Sequence, residues 1–198
     1  MNIRKVSYAM ALVAMFAFAG TAAAQGTVFD STSTFSNLAM TATVQTALNL
    51  EISTHASGAA VTGTAGSGAF GINLGNVNGL GLGTPSTNVT KAAVTGGFLY
   101  TTPITLTASY SGFAGAVATI SVHQPAADGA GPVAMAREGA SADIDAGTLP
   151  ATATSINAAV TNGQVITRYV GAKVLNANGS TNQAGLRTMN LVYTISVP

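Results

Sequence analysis

Leu38-Ala39-Met40-Thr41-Ala42-Thr43-Val44-Gln45-Thr46-Ala47-Leu48-Asn49-Leu50-Glu51-Ile52 is the stretch whose reading decides the fold. Its even positions are Leu38, Met40, Ala42, Val44, Thr46, Leu48, Leu50 and Ile52. Its odd positions are Ala39, Thr41, Thr43, Gln45, Ala47, Asn49 and Glu51. A period of two is the pattern of a strand with one buried face, because successive side chains leave a pleated backbone on opposite sides. A typical strand runs ~5–6 residues. The longer run therefore predicts either two partners or a bend near Thr46.

The last residues repeat the pattern. Met189, Leu191, Tyr193, Ile195 and Val197 point one way, and Thr188, Asn190, Val192, Thr194 and Ser196 the other. Between the two ends, Ser53 to Thr90 is rich in Gly, Asn, Ser and Thr, with apolar islands at Phe70–Leu74 and Val77–Leu82. It reads as short strands and turns. Phe98–Tyr100, Ile104–Tyr110 and Ala116–Val122 read as strands, with a turn at Tyr110-Ser111-Gly112-Phe113. Gln124 to Pro150 holds three of the six prolines and most of the acidic residues, and reads as loop. Val165–Leu175 alternates again, and Asn176-Ala177-Asn178-Gly179 supplies a turn. No stretch has a comparable helical period. The spacing predicts an all-β chain folded as an antiparallel sandwich of immunoglobulin-like type.

Composition narrows the class. Of 198 residues only 7% are charged, against ~25% in ordinary domains. Thr, Ser, Asn and Gly replace them; the sequence has 23 Gly and 27 Thr. The charge that marks a disordered tail is missing. Seven basic against six acidic residues leave no basic patch for nucleic acid. Arg4 and Lys5, the apolar run Val6–Ala19 and Ala22-Ala23-Ala24 form a signal-peptide pattern over residues 1–24, predicting a mature start at Gln25. The apolar run is shorter than the ~20 residues a transmembrane helix needs, and no later stretch is long and apolar enough. The expected product is exported, with no transmembrane segment after cleavage. Without Arg4 and Lys5 it has five basic and six acidic residues. A net charge near zero weakens repulsion between copies. With no Cys, disulfides, thiol catalysis and cysteine-ligated zinc are excluded.

The search for chemistry returns little. Gly66-Ser67-Gly68-Ala69-Phe70-Gly71 has the letters of a dinucleotide loop, but no helix is predicted to follow and hold the pyrophosphate. It reads as a turn. His55 and His123 have no carboxylate at useful local spacing, and no G-x-S-x-G elbow exists. Asp143-Ile144-Asp145 opens like a calcium loop but lacks the central Gly and the closing Glu. A solvated loop is the better reading than a cation site gathered from Asp128, Glu138, Asp143 and Asp145. No catalytic residue, metal or cofactor is expected, and an enzyme is the weakest reading. A membrane β-barrel needs aromatic girdles at both interfaces, for which five Tyr and seven Phe are few.

Ser36-Asn37-Leu38-Ala39-Met40-Thr41-Ala42-Thr43-Val44-Gln45-Thr46-Ala47-Leu48-Asn49-Leu50 resembles the N-terminus of alpha-class fimbrial major subunits. In that family an alternating N-terminal segment is the donor strand for the next subunit. The stretch is also similar to a broader set of small Thr/Ala-rich bacterial surface proteins carrying Leu-x-Phe-Gly, for which Phe70-Gly71-Ile72-Asn73-Leu74-Gly75 is a loose counterpart. Gly185 to Ile195 is compatible with their final strand. The resemblance covers both ends of the chain. It departs at Thr46, where the fimbrial family has proline, and in the Gly- and Ala-rich middle.

The resemblance implies a tail and donor strand over 25–46 and a sandwich domain over 47–198. The donor face is then Leu38, Met40, Ala42 and Val44. Leu48, Leu50 and Ile52, with Met189, Leu191, Tyr193, Ile195 and Val197, form the sheets that border the acceptor groove. The implied partners are other copies of the chain, with a periplasmic chaperone and an outer-membrane assembly pore as candidates. The expected function is a structural subunit of an extracellular bacterial filament, pilus or matrix fibre, displayed at the cell surface. The alternative is a monomeric secreted or surface binding module, for example for carbohydrate, with its loops as the site.

Overall fold

The computed structural model describes residues 41–64, 68–125, 134–145, 149, 151–176 and 185–198. The chain divides into two units, Met1–Thr43 and Val44–Pro198, and the described strands all lie in the second. The fold is an all-β, antiparallel sandwich. The larger sheet contains β1 (Ala47–Thr54), β4 (Thr90–Val94), β5 (Gly97–Ser111), β7 (Ala134–Gly139) and β9 (Val165–Leu175). The smaller has the order β10 (Val192–Ser196), β6 (Ala118–His123), β8 (Thr154–Val160). β2 (Val61–Gly63) and β3 (Phe70–Ile72) make a separate hairpin.

β5 organises the larger sheet. One edge pairs with β9 from Gly97↔Leu175 to Thr107↔Val165. The other edge is shared. β4 takes Gly97–Thr101 and β1 takes Ile104–Ser111. The two strands expected at Phe98–Tyr100 and Ile104–Tyr110 are thus one continuous element. Pro103 does not break it, because it falls where that edge changes partner. A Cβ on Gly58 would collide with the Pro103 carbonyl, so this residue's backbone faces the gap between β4 and β1. The N–H that proline lacks would point the same way, where no strand needs it.

Alternation sorts the inward residues. Along β5 these are Tyr100, Thr102, Ile104, Leu106 and Ala108, all buried. The lower half of the strand meets the smaller sheet: Ile104, Leu106 and Ala108 pack with Ala118, Ile120, Val160 and Val170. Leu50, Ile52, Ile195 and Val197 close that core from the side. The upper half meets no second sheet. Tyr100, Val174, Ala134, Ala59 and Val89 are covered by Ile72, Leu74, Val77, Phe98 and Met189. The 73–89 segment, read from sequence as turns and short strands, here acts as a lid of core residues.

Two strands depart from the sequence expectation. β7 lies inside Gln124–Pro150, which reads as loop. Its pattern is only six residues long and carries Arg137 and Glu138, so it looks solvated until β9 supplies a partner from Ala134↔Val174 to Gly139↔Tyr169. β8 has weak alternation because its pairing with β6 shifts register on either side of Ile120, and such a shift reverses parity.

Candidate functional site

The assembly element expected from the sequence would lie at the N-terminal side, next to β1. β1 begins at Ala47, opposite Ser111. Residues 41–46 carry no strand assignment and are exposed, Ala42 among them, with Val44 81% exposed. Leu38 and Met40 lie outside the described residues. Leu48 sits opposite Tyr110 and remains exposed, while Leu50 and Ile52 pack on the lower core.

β10 pairs with β6 from Val192↔His123 to Ser196↔Thr119. Leu191, Tyr193, Ile195 and Val197 pack on the lower core, and Met189 reaches the upper one. From Thr188 to Pro198 every even residue is exposed and every odd one is half-buried. None of the odd residues reaches full burial, because β10 is the last strand of its sheet. β1 and β10 approach each other on the same side of the sandwich. Among the described residues neither has a strand on its outer edge. β10 has no charged side chain or proline among Val192–Ser196, and β1 has only Glu51. Such residues are the usual guard against pairing with another chain.

A second feature was not expected. Arg168 lies opposite Ile104 in β9, and Glu138 lies opposite Val170 in β7. Both therefore point into the sandwich. Arg168 Nε donates to Glu138 Oε1 at 2.6 Å and Nη2 donates to Oε2 at 2.9 Å. Their side chains are 10% and 2% exposed. Tyr193 stands beside the pair from β10. Burial first, and the Glu138 carboxylate second, hold its phenol well above the ordinary value of 10.0. Its buried hydroxyl makes no hydrogen bond of good geometry. The hydrogen bond that Arg168 donates to Glu138 raises the Arg168 pKa, against the opposing effect of burial.

One sequence signal could have found this pair. Arg168 shares parity with Ile166, Val170, Ala172 and Val174, so it stands on an apolar face. A buried guanidinium requires a carboxylate, and the chain has only six acidic residues.

The pair also overturns the acidic cluster. Glu138 points inward. Asp145 lies against Lys173, with Oδ1 2.6 Å from Nζ, and Lys173 is opposite Leu99 on the other face of the sheet. Ile144 is buried over Gly139 and anchors that segment, so it is not simply solvated. Asp143 is exposed, and Asp128 lies outside the described residues. Among the described residues no group of three His, Cys, Asp or Glu side chains could hold a metal ion.

The other candidates have local explanations. The His55 Nδ1 accepts from the Ser57 N–H at 3.2 Å and lies 3.0 Å from its Oγ, closing a turn. His123 ends β6. Phe70-Gly71-Ile72 is β3, paired with β2, and no helix follows it; Gly66 and Ser67 lie outside the described residues. A cleft of about 460 Å³ opens beside the β2–β3 hairpin, lined by neutral groups including Thr62, Asn73, Pro85 and Ser86. Thr62 Oγ1 already donates to the Gly71 carbonyl, and Asn73 Oδ1 accepts from the Gly75 N–H. Among the described residues no helix is long and apolar enough to cross a membrane. Comparison with protein families, curated proteins and solved structures finds no match.

Proposed function

We propose that this chain is a structural subunit of an extracellular bacterial filament, a pilus, fimbria or matrix fibre, built from immunoglobulin-like sandwiches. Copies join when the alternating segment Leu38–Val44 of one adds to the open side of another. The single observation that carries this reading is the break at Thr46. The alternation runs from Leu38 to Ile52 with Thr46 as the one polar member of its apolar face, yet the strand begins only at Ala47 and Val44 is left exposed. The half-buried row on β10 and the exposed Leu48 support it, since an added strand would bury both. Strand addition draws its affinity from main-chain hydrogen bonds and its specificity from alternate side chains. Because donor and acceptor differ, repetition builds an open fibre and not a closed ring.

Electron microscopy of the exported protein should show fibres. Protein lacking residues 25–46 should remain monomeric, and a synthetic 36–46 peptide should bind it. Val44→Asp should block assembly and Thr43→Asp should do so far less. A truncated chain that assembles as well as the intact one removes this segment from the mechanism. The second reading, a monomeric binding module, draws on the neutral polar cleft beside β2 and β3; saturable binding of a neutral glycan by protein that never forms fibres would favour it.

A further inference from the structure

Arg137 is only 6% exposed, so its guanidinium has lost almost all its water. It stands one residue before Glu138 on β7 and therefore faces the opposite way, onto the outer side of the larger sheet. Among the described residues it meets no carboxylate there; the two ion pairs are Arg168–Glu138 and Lys173–Asp145. Arg137 Nη1 donates to the carbonyl of the preceding residue, Ala136, at 3.0 Å. Nη2 reaches back to the Met135 Sδ at 3.7 Å, and Nε meets no acceptor among the described residues. Nε and Nη2 form the edge with which Arg168 grips the Glu138 carboxylate. The same edge of Arg137 has only a thioether, which is a weak acceptor. A buried charge without a partner is unfavourable, so this one marks a place for an anion.

The surroundings close over that edge and add a second cation. Gly171, opposite Arg137, offers no side chain, and a Cβ there would collide with the Tyr100 carbonyl. Bare backbone thus lies across from the guanidinium. Gly139, two residues further along the same face, is covered by Ile144, whose methyl stands where a Cβ would go. Lys173, opposite Met135 two residues back, holds Asp145 at 2.6 Å. Residues 144 and 145 are consecutive and their contacts fall on either side of Arg137, so they pass over its position. Because Nη2 turns back to Met135, and Met135 is opposite Lys173, the guanidinium and the ammonium converge on one spot. Two cations and one carboxylate leave one positive charge uncompensated. A monoanion cancels it, and a planar one with two oxygens matches the Nε–Nη2 edge.

We infer that the outer face of β7 and β9 holds a site for a small free carboxylate, gripped by Arg137 Nε and Nη2, attracted by Lys173 and covered by residues 144–145. Burial sets the size: with the guanidinium nearly closed off, an acid as small as acetate can sit against it, and a carboxylate on the surface of a folded protein does not reach it. Asp145 stays on Lys173, so its negative charge opposes the ligand. The site uses no residue of the N-terminal segment or of β10, so it stands whether or not copies assemble.

The test is urea unfolding of the full exported chain at neutral pH, in sodium acetate against sodium chloride of equal ionic strength. Acetate should raise the midpoint saturably and chloride should not, because a ligand that binds only the folded chain stabilises it. Arg137→Met should lose the acetate response. Without acetate it should unfold at higher urea than the parent, since the uncompensated charge is gone. Asp145→Asn, at a partly exposed position, keeps the test available if Arg137→Met does not fold. It should lower the half-saturating acetate concentration severalfold by removing the opposing charge. No acetate-specific rise in the parent overturns the inference. So does an equal rise in the parent and in Arg137→Met, and so does a half-saturation for Asp145→Asn no lower than the parent's.

Discussion

Arg168 and Lys173 stand five residues apart on β9 and lead opposite lives. The odd spacing puts them on opposite faces of the sheet. Arg168 points into the sandwich and meets Glu138 through two parallel hydrogen bonds. Lys173 points outward and meets Asp145 through one close contact at the rim of a loop. The inner pair has lost almost all its water, and its attraction acts in a medium of low dielectric. The outer pair is partly hydrated and screened. Breaking the first leaves a charge with nowhere to go, whereas breaking the second leaves Asp145, whose side chain is 26% exposed, with solvent within reach of its carboxylate.

The largest test of this contrast is Glu138→Ala, which strands the Arg168 guanidinium. It should cost about 3–5 kcal/mol, read as a shift in the urea midpoint. Glu138→Met combined with Arg168→Met should recover most of that loss, because the desolvation cost leaves with the charges. A double variant as unstable as the single would show that Arg168 is needed for more than neutralising Glu138. Tyr193 gives the second test. Its folded pKa is raised above the unfolded value, so its contribution is intact below about pH 10 and is lost as pH rises further. The slope should approach about 1.4 kcal/mol per pH unit above pH 10, and Tyr193→Phe should flatten it. The smallest effect belongs to Lys173→Ala, at most about 1 kcal/mol. An equal loss from Lys173→Ala and Glu138→Ala would erase the distinction between the two faces.

Legibility followed the range of the interaction. β1, β9 and β10 were visible as alternation, and the side chains expected to face inward on β10 do so from Leu191 to Val197. β5 was visible but cut in two, since proline argues against a central strand and only the change of edge partner makes Pro103 harmless. β7 was hidden, because Arg137 and Glu138 look like loop residues until β9 pairs with them and brings Arg168 within reach of Glu138. The upper core was hidden for a related reason. Its cover is a Gly- and Asn-rich segment whose apolar islands have no period of their own. For the candidate assembly element, sequence marked the apolar face of 38–52, but not where along it the chain stops being strand.

The sequence by itself determined that the chain is all-β, which face of each long strand is apolar, and that its surface is polar without being charged. These are local properties: the pleat gives every strand a period of two, and composition needs no partner. Only the tertiary structure decided that β4 and β1 share one edge of β5 and that Glu138 and Arg168 meet inside. Each of these depends on pairing between residues far apart in the chain, where register selects neighbours that no local period encodes.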